Sequence, residues 1–530
     1  MTTIPKLSWT PTDEQSAIAD AARGKDSIMV NAYAGCAKSS TLQLVGAQIK
    51  VPALALAFNK KISKELETRF ESNWSVKTIN GLGHQAWVRS IANGKITLDE
   101  KKLGKLVSQV AASCKTRLSS EQWGDIRQLV TKAMQRGIVP DDVGEPLTPD
   151  TRENWQAIAE SELSLGQDEF EFIYELAREV LSESNVLARR GIISFDDQVY
   201  CPVVLGGKWP QFPVVAVDEA QDLSELNHAM LGKVLRPDGR LVVVGDPKQS
   251  IYGFRGALTE SMDKIRGLSG QWLNRPLTMT FRCPRVIVAR QQTHAPGFRA
   301  GKANAEGRHI RLPVNGQGHY EAEAQAKPIW SISQFLALAS SKASPVILCR
   351  NNGPLLSMAF KLLRRGVGCY MLGRDLGKGL ERLSLDIAKE DAIPADKVAG
   401  LIRDWREKEI SIALANHKDE RVEGIEDRAE SLLAVLGSAE VRDAGGLRLA
   451  LRKLFSRDSG QIMLSSIHRA KGLEWDIVMH LDPWRIPSKW AKLAAKTGDT
   501  RQLAQEHNLK YVCETRTRNV LCEANLEDFE

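Results

Sequence analysis

Four short apolar runs stand out in the first half of the chain, at residues 27–32 (SIMVNA), 53–58 (ALALAF), 212–217 (FPVVAV) and 241–245 (LVVVG). Each run has the length of a strand and shows no alternation with polar residues, which is typical of strands buried on both faces of a parallel sheet. A second set follows at residues 346–349 (VILC), 367–372 (VGCYML), 462–467 (IMLSSI) and 477–481 (IVMHL). The pattern predicts an α/β protein with two parallel-sheet cores.

Two stretches between these runs have a different pattern. Residues from about 90 to 190 and from about 376 to 455 lack strand-like runs and are amphipathic in places, which favours helices. Charged side chains are frequent between 401 and 435, as on a solvated helical surface. We therefore expect each core to carry a mainly helical insertion.

Composition narrows the class of protein. The 530 residues are 43% hydrophobic and 26% charged, which is ordinary globular composition, and the length predicts about three or four domains. No run reaches a membrane span, the start lacks the features of a secretory signal, and the eight cysteines show no CxxC spacing. We expect a cytoplasmic protein without zinc or an iron–sulfur cluster. The net charge of +7 permits a polyanionic partner without requiring one.

A phosphate-binding loop is predicted directly after the first apolar run. The sequence AYAGCAKSS precedes a helical pattern, so that backbone N–H groups and a helix N-terminus point toward an anion. Lys38 is expected to contact the outer phosphates of a nucleotide, and Ser39 is expected to ligate Mg²⁺. The alternative is a chance Lys-Ser pair at a helix start, because alanines replace both glycines of the usual pattern. The candidate nucleotide-binding residues here are Ala32, Tyr33, Ala34, Gly35, Cys36, Ala37, Lys38, Ser39 and Ser40.

Ala37 leaves two alternatives open. A negative φ would accommodate its methyl group with little crowding, whereas a positive φ would cost about 1 to 2 kcal/mol. We expect a competent loop, because the other predicted groups of the site are retained.

A pair of carboxylates follows the third apolar run, in the sequence DEAQD. Asp218 is expected to bind Mg²⁺, and Glu219 is expected to accept a proton from the water that attacks the γ-phosphate. The alternative is an ordinary acidic helix start. The position at the end of an apolar strand, downstream of a phosphate loop, favours the catalytic interpretation.

Further motifs resemble those of the UvrD/Rep helicases of superfamily 1, and they occur in that family's order. Residues 241–257 (LVVVGDPKQSIYGFRGA) resemble motif III and 466–476 (SIHRAKGLEWD) motif V. The remaining similarities are 10–15 (TPTDEQ) to the Q motif, 58–66 (FNKKISKEL) to Ia, 78–87 (TINGLGHQAW) to Ib, 277–283 (LTMTFRC) to IV and 511–518 (YVCETRTR) to VI. The predicted second insertion is much shorter than that of the larger UvrD-type enzymes. In this compact form the chain resembles the F-box DNA helicase branch or phage-borne relatives.

The resemblance implies roles for individual residues around ATP. Gln15 would recognise adenine, although TPTDEQ also predicts a capping box with Thr12. Phe281 would stack on adenine, with a core aromatic as the alternative, and Arg282 and Arg516 would contact the γ-phosphate, with surface salt bridges as the alternative. The resemblance also implies Gln249 as a γ-phosphate sensor, Glu474 as a ribose ligand and Gly472 as a nucleotide contact.

The resemblance also implies a path for single-stranded DNA. The positions that match the family's DNA contacts are Asn59, Thr78, His84, Tyr252, Phe254, Arg255 and His468. Phe254 occupies the place of a base-stacking tryptophan, with a core position as the alternative. For His84 and His468 a structural role is nearly as well supported as a contact with DNA.

The family's architecture implies two RecA-like cores with two insertions. Core 1A would comprise 1–88 and 191–275 with insertion 1B at 89–190, and core 2A would comprise 276–375 and 456–530 with insertion 2B at 376–455.

These inferences predict an ATP-dependent DNA helicase or single-stranded DNA translocase, with ATP and Mg²⁺ as cofactors and 3′–5′ polarity by analogy. Expected partners are single-stranded DNA, duplex junctions and an unidentified replication or repair loading factor, but no membrane. The protein would be nucleoid-associated in a bacterium, or in the host cytoplasm if phage-encoded. Alternatives are a translocase that strips proteins from DNA and a nucleotide-gated scaffold with little turnover. An appended nuclease is not expected, because little chain follows motif VI.

Overall fold

The computed structural model of the chain describes two compact units. Residues 1–33 and 37–277 belong to the first unit, and residues 34–36 and 278–530 to the second. The described residues are 9–57, 59–91, 94–140, 143–163, 167–251, 261–311, 335, 345–415, 419–438, 441–456, 460–496, 498 and 500–529.

The first unit is built on a six-stranded parallel sheet with the order β3-β2-β6-β7-β1-β8. Its strands are β1 (Ser27–Ala32), β2 (Ala53–Ala57), β3 (Trp74–Thr78), β6 (Phe212–Val217), β7 (Leu235–Gly245) and β8 (Trp272–Leu277), and a small pair is formed by β4 (Thr97–Leu98) and β5 (Ile192–Ile193). The four predicted runs are therefore confirmed as parallel strands. The central strands β6, β7 and β1 lie side by side, so their carboxyl ends meet at one edge.

Two prolines show how this sheet tolerates a missing N–H donor. Pro276 lies in β8, which is an edge strand, and Pro213 lies at a register irregularity between β6 and β7. Proline within sheets is confined to such edges and bulges, because it cannot donate to a ladder.

Helices cover this sheet and fill the first insertion. Their bounds are Asp13–Ala21, Lys38–Gln48, Lys60–Arg69, Ile79–Val88, Lys102–Ser113, Ser120–Gln135, Arg152–Leu163, Gln167–Arg189, Asp197–Val204, Glu225–Val234 and Ser261–Lys264. A buried ion pair joins the insertion to the chain that returns from it, since Lys102 Nζ donates to Asp197 Oδ2 at 2.7 Å and to the Ser184 carbonyl at 2.8 Å.

The second unit contains another six-stranded parallel sheet, in the order β11-β16-β15-β12-β14-β13. The strands of this unit are β9 (Met279–Thr280), β10 (Arg299–Ala300), β11 (Arg308–Arg311), β12 (Pro345–Cys349), β13 (Cys369–Met371), β14 (Ile462–Ser466), β15 (Trp475–Leu481) and β16 (Thr517–Ala524). The predicted second core is confirmed, with β11 and β16 as strands that the apolar pattern did not identify.

The helices of the second unit include four in the predicted second insertion. Their bounds are Arg285–Arg290, Asn352–Arg364, Arg374–Ile387, Ala395–Ala415, Asp419–Leu436, Ala444–Ser456, Ile467–Ala470, Lys489–Lys496 and Arg501–Glu514. The insertion helices share one hydrophobic core with the sheet, including Ile402, Leu432 and Leu447.

All eight cysteines are free thiols, and seven of them are buried. In the described part of the chain, no helix combines the length and apolar character that crossing a membrane requires.

A buried histidine connects three segments of the first unit. His228 Nε2 lies 3.0 Å from Ser261 Oγ, and this hydroxyl lies 2.8 Å from the Ala220 carbonyl, to which it donates. The serine oxygen then accepts from His228, so Nε2 carries the imidazole proton. Burial, helped by the charge of Lys264, lowers the pKa of His228 to about 4.

We expect the first unit to lose stability as the pH falls from about 6.5 toward 4, because the unfolded chain protonates His228 in that window while the folded chain does not. The His228→Gln variant keeps a donor without the titration. Its melting temperature should fall less than that of the wild type between pH 7.5 and 5, by about 4 to 8 °C. The exposed His507→Gln serves as control, and an equal fall in all three proteins would contradict the assignment.

Candidate nucleotide-binding site

The loop after β1 has the geometry of an anion-binding turn. Ala37 adopts a left-handed conformation with φ 57° and ψ 45°, directly before helix Lys38–Gln48. No side chain caps this helix start. The first-turn N–H groups therefore lack the side-chain acceptor that usually satisfies them, and such a helix start favours a phosphate group.

The carboxylate pair lies beside this helix start. Asp218 and Glu219 directly follow β6, and Glu219 Oε1 lies 3.2 Å from Lys38 Nζ. Glu219 has a left-handed backbone with φ 53°, and its N–H donates to Asp218 Oδ1 at 2.9 Å. The predicted grouping of Lys38 with the two carboxylates is thus what the first unit shows.

A third carboxylate, which sequence reasoning missed, completes the group. Asp246 directly follows β7 and is buried, and it accepts from Gln249 Nε2 at 2.6 Å and from the Lys248 N–H at 3.0 Å. Gln221 connects the acids, because its Nε2 donates to Glu219 Oε2 at 2.6 Å and its Oε1 accepts from the Asp246 N–H at 3.0 Å.

The electrostatics of the site are dominated by burial. Burial and the neighbouring charge of Glu219 raise the pKa of Asp218 to about 7, against the opposing effect of Lys38. Burial also raises the pKa of Asp246. Burial alone would lower the pKa of Lys38, but the charges of Glu219, Asp246 and Asp218 raise it instead. Lys38 is therefore held as an ammonium ion among carboxylates that outnumber it.

This arrangement fits a nucleotide with Mg²⁺. Among the described residues, no group of three or more His, Cys, Asp or Glu side chains is placed to hold a metal ion by itself. Mg²⁺ usually takes only one or two carboxylates and completes its shell with water and phosphate oxygens, and the excess negative charge beside Lys38 favours a cation. Asp218 and Ser39 would hold it.

Gln15 is used by the fold in the way that its capping box predicts. Its Oε1 accepts from the Thr12 N–H at 3.0 Å, and the Gln15 N–H donates to Thr12 Oγ1 at 3.2 Å. Gln15 Nε2 also donates to Thr41 Oγ1 at 3.2 Å, which ties the first helix to the phosphate-loop helix. Its role toward adenine stays a prediction.

In the second unit, Arg282 is held by Glu474. Arg282 Nη1 lies 3.0 Å from Glu474 Oε2, and Arg518 pairs with the other oxygen of the same carboxylate. Arg282 Nε is buried and has no hydrogen-bond partner among the described residues. A guanidinium with an unused buried donor is suited to an additional anion.

Arg516 lies in the interior of the second unit, so the alternative of a surface salt bridge is wrong. It is 1% exposed, and its guanidinium donates to the Val512 carbonyl at 3.1 Å and the Leu473 carbonyl at 3.2 Å. A role at the γ-phosphate stays a prediction, and it requires some of these bonds to be exchanged.

Phe281 is 51% exposed, so the alternative of a core aromatic is wrong. An accessible ring is what stacking on adenine requires.

The second unit includes Ala34, Gly35 and Cys36 of the loop sequence. Gly35 has φ 72°, and a Cβ there would lie 2.6 Å from Thr280 Oγ1 and 2.8 Å from Arg282 Cβ. Only glycine fits this position of the loop. Ala34 N donates to Tyr511 Oη at 2.8 Å.

The candidate DNA residues have structural roles as well. Asn59 and Thr78 cap helices, since Asn59 Oδ1 accepts from the Ile62 N–H at 2.9 Å and Thr78 Oγ1 from the Gly81 N–H at 3.0 Å. Both lie at the carboxyl edge of the first sheet, after β2 and at the end of β3. His84 and His468 are half-buried. The predicted contacts Tyr252, Phe254 and Arg255 lie outside the described residues.

Of the other predicted nucleotide contacts, Gln249 lies in the first unit and Gly472 in the second. Gln249 is buried in the first unit, and Gly472 has φ 83° in the loop that precedes Glu474. Asp246 could have been identified by the rule that identified Asp218, because it also follows a continuous apolar strand. Gln221 and Arg518 carry no comparable signal, since their roles depend on which carboxylate each contacts.

Comparison with known proteins identifies both halves of the chain. Residues 12–267 match the UvrD/REP helicase N-terminal domain, and residues 406–523 match the UvrD-like helicase C-terminal domain.

The individual relatives share fewer than a third of their aligned residues with this chain. F-box DNA helicase protein 1 of Schizosaccharomyces pombe is 23% identical over 96% of this chain and 57% of its own length. ATP-dependent DNA helicase UvrD2 of Mycobacterium bovis is 25% identical over 57% of this chain and 46% of its own length. The RecBCD enzyme subunit RecB of Mycolicibacterium smegmatis is 29% identical over 24% of this chain and 12% of its own length. The chain thus spans about half the length of the first two relatives.

The left-handed alanine gives a test. Ala37→Gly should stabilise the protein by about 0.5 to 1 kcal/mol, because the strain of the methyl group outweighs the added entropy of unfolded glycine. Differential scanning calorimetry measures this. We expect kcat/KM for ATP to change by less than about tenfold.

The control is Ala157→Gly, at an exposed position in the middle of helix Arg152–Leu163 of the same unit, which should destabilise by about 0.5 to 1 kcal/mol. Equal destabilisation by both changes would contradict the left-handed geometry.

Proposed function

Since the chain belongs to the UvrD-like helicase family, we propose that it is an ATP-dependent DNA helicase that couples nucleotide hydrolysis to movement along a single strand. The observation that supports this most directly is the group of charged side chains near the carboxyl ends of β1, β6 and β7. It combines one ammonium, a helix start that no side chain caps and three carboxylates, which are the groups that phosphoryl transfer to water requires.

Each residue of this group has a proposed task. Lys38 and the first-turn N–H groups would bind phosphate oxygens, and Asp218 and Ser39 would hold the Mg²⁺ ion. Glu219 accepts the proton of the attacking water, and Gln221 orients the Glu219 carboxylate through its 2.6 Å hydrogen bond. ATP with Mg²⁺ supplies the phosphoryl group and neutralises part of its charge.

The second unit supplies the remaining proposed contacts with nucleotide. We assign Phe281 to the adenine ring, Arg282 and Arg516 to the phosphates, and Glu474 to the ribose. The exposed ring of Phe281 and the unused Nε of Arg282 support the first two assignments. We also assign Gln249 as a sensor of the γ-phosphate, and its 2.6 Å hydrogen bond to Asp246 would connect it to the third carboxylate.

ATP turnover with and without single-stranded DNA is the decisive measurement. Strong stimulation by DNA supports the helicase class, whereas turnover that ignores DNA would contradict it. The proposed 3′–5′ direction is read from partial duplexes with a 3′ or a 5′ single-stranded tail. Displacement of streptavidin from a biotinylated strand, without unwinding, would favour the protein-stripping translocase.

The left-handed Ala37 favours a second candidate, a nucleotide-gated DNA-binding scaffold with little turnover. The strain raises the energy of the loop conformation that binds phosphate. A nearly inert wild type that becomes active in Ala37→Gly would support the scaffold.

Glu219→Gln should retain ATP binding and lose about 10²- to 10⁴-fold in kcat, because the amide keeps the shape of the side chain and cannot accept a proton. Steady-state turnover and equilibrium nucleotide binding measure the two effects. Glu225→Gln is the control, since Glu225 pairs with Arg136 and Lys264 away from the site. Wild-type turnover in Glu219→Gln would assign the base elsewhere.

Arg282→Ala should lower kcat by about 10³-fold or more while changing ATP affinity far less, as for a group that acts mainly on the transition state. Arg285→Ala, an exposed arginine three positions later, should leave turnover unchanged. An effect of Arg282→Ala on affinity alone would make Arg282 a ground-state phosphate ligand.

A further inference from the structure

The second unit contains a cavity of about 850 Å³ that none of the predicted motif residues lines. It lies between helix Asp419–Leu436 and the segment 484–496, and its volume is within the range of small-molecule sites. Its lining combines Trp484, exposed lysines and a row of carboxylates. We call this cavity the Trp484 pocket.

Trp484 is a prepared aromatic platform. The ring is 55% exposed, and the Arg485 guanidinium lies 4.7 Å from its centroid. Arg485 is fixed in turn, because Nε is 3.0 Å from Asp482 Oδ2 and Nη2 is 3.0 Å from Glu430 Oε1. One face of the indole is thus held by a cation while much of the ring stays accessible, which is the arrangement that base stacking uses.

The rim of the pocket is basic. Lys489, Lys492 and Lys496 are exposed on the helix Lys489–Lys496, at spacings that place them on one side of it. Arg406 lines the pocket from another helix. In the described part of the chain, no carboxylate pairs with Lys492 or Lys496, so their charges are available to an anion.

The interior of the pocket is acidic. Glu423, Asp427 and Glu430 lie on one side of helix Asp419–Leu436 and are paired: Glu423 with Arg350, Asp427 with the Asn352 and Gly353 N–H groups, and Glu430 with Arg485. Their oxygens still line the cavity, as does the exposed Glu426. Carboxylates disfavour a phosphate inside the pocket, but they accept hydrogen bonds from amino groups.

We propose that the Trp484 pocket binds an unpaired nucleotide of a DNA strand, with the base against Trp484 and the adjoining phosphates on Lys492 and Lys496. A nucleotide has this distribution of charge, with a neutral aromatic ring that carries N–H donors and an anionic backbone outside it. An acidic peptide would match the rim and be repelled by the interior. The choice of DNA rests on the proposed function, whereas the pocket and its charges do not.

The first test is binding of fluorescent single-stranded oligonucleotides, followed by anisotropy. Trp484→Ala should weaken binding about 5- to 100-fold, the range of one base–aromatic stack, and Trp484→Phe should restore most of it. Phe172→Ala, which removes another exposed aromatic, should have no effect. No loss in Trp484→Ala, or no rescue by phenylalanine, would overturn the platform.

Salt dependence tests the rim. The double change Lys492→Gln and Lys496→Gln should lower the slope of log K against log salt by about 1.4, since each single-strand phosphate contact contributes about 0.7. Lys397→Gln with Lys408→Gln, two exposed lysines of the same unit outside the pocket, should leave the slope unchanged. An unchanged slope in the rim variant would overturn the phosphate contacts.

Photocrosslinking of an iodouracil-containing oligonucleotide locates the base, and a crosslink should map to the peptide containing Trp484. If a mononucleotide competes as well as the oligonucleotide, the ligand is a free nucleotide and not a strand, and the proposal is overturned. Tight binding of an acidic aromatic peptide without an effect on DNA would also overturn it. ATP turnover with and without DNA separates the two hypotheses. Turnover that DNA stimulates to the same extent in the wild type and in all pocket variants refutes the pocket alone. Absent turnover refutes the proposed enzyme alone.

Discussion

The first unit depends on placing one largely buried ammonium among three carboxylates, of which Asp218 and Asp246 are buried and Glu219 is partly exposed. Taking such charges out of water is costly, and the cost is tolerable only where each has a partner. Lys38 and Glu219 form one contact at 3.2 Å, and Gln221 connects Glu219 to Asp246. Burial and the charge of Glu219 raise the pKa of Asp218 despite the opposing charge of Lys38. The excess of negative charge over the one ammonium favours a cation at this edge, which is what the proposed Mg²⁺ nucleotide would bring.

The sheet topology brings these side chains together. Because β6, β7 and β1 are adjacent and parallel, Asp218 and Asp246 directly after β6 and β7 meet Lys38, which lies beyond the loop after β1, at one edge. The same rule places Asn59 and Thr78 at the outer part of that edge, after β2 and β3. The candidate nucleotide contacts and the candidate strand contacts of the first unit therefore lie along one edge of the same sheet.

Much of this could be predicted from the sequence, for reasons visible in particular residues. Continuous apolar runs identified the central strands, whereas Trp74–Thr78, Trp272–Leu277 and Thr517–Ala524 were missed because lysine, arginine, asparagine and proline interrupt their apolar character. Lys38, Asp218 and Glu219 were identified because each follows such a run. The φ of Ala37 and the inward guanidinium of Arg516 could not be read from residue types, since both depend on tertiary contacts. The Trp484 pocket was missed for the same reason, because its walls come from helices distant in sequence.

The pairing of β1 with β8 has a consequence for how the chain is made. Ser27 finds its partner Trp272 only after the whole first insertion has been synthesised. At 5 to 20 residues per second, the phosphate loop waits roughly 10 to 50 s on the ribosome before its strand has both neighbours. During that interval the apolar β1 and β2 segments are exposed to aggregation. The helices Lys102–Ser113 to Gln167–Arg189, whose contacts are largely local, can form first and occupy part of that apolar surface.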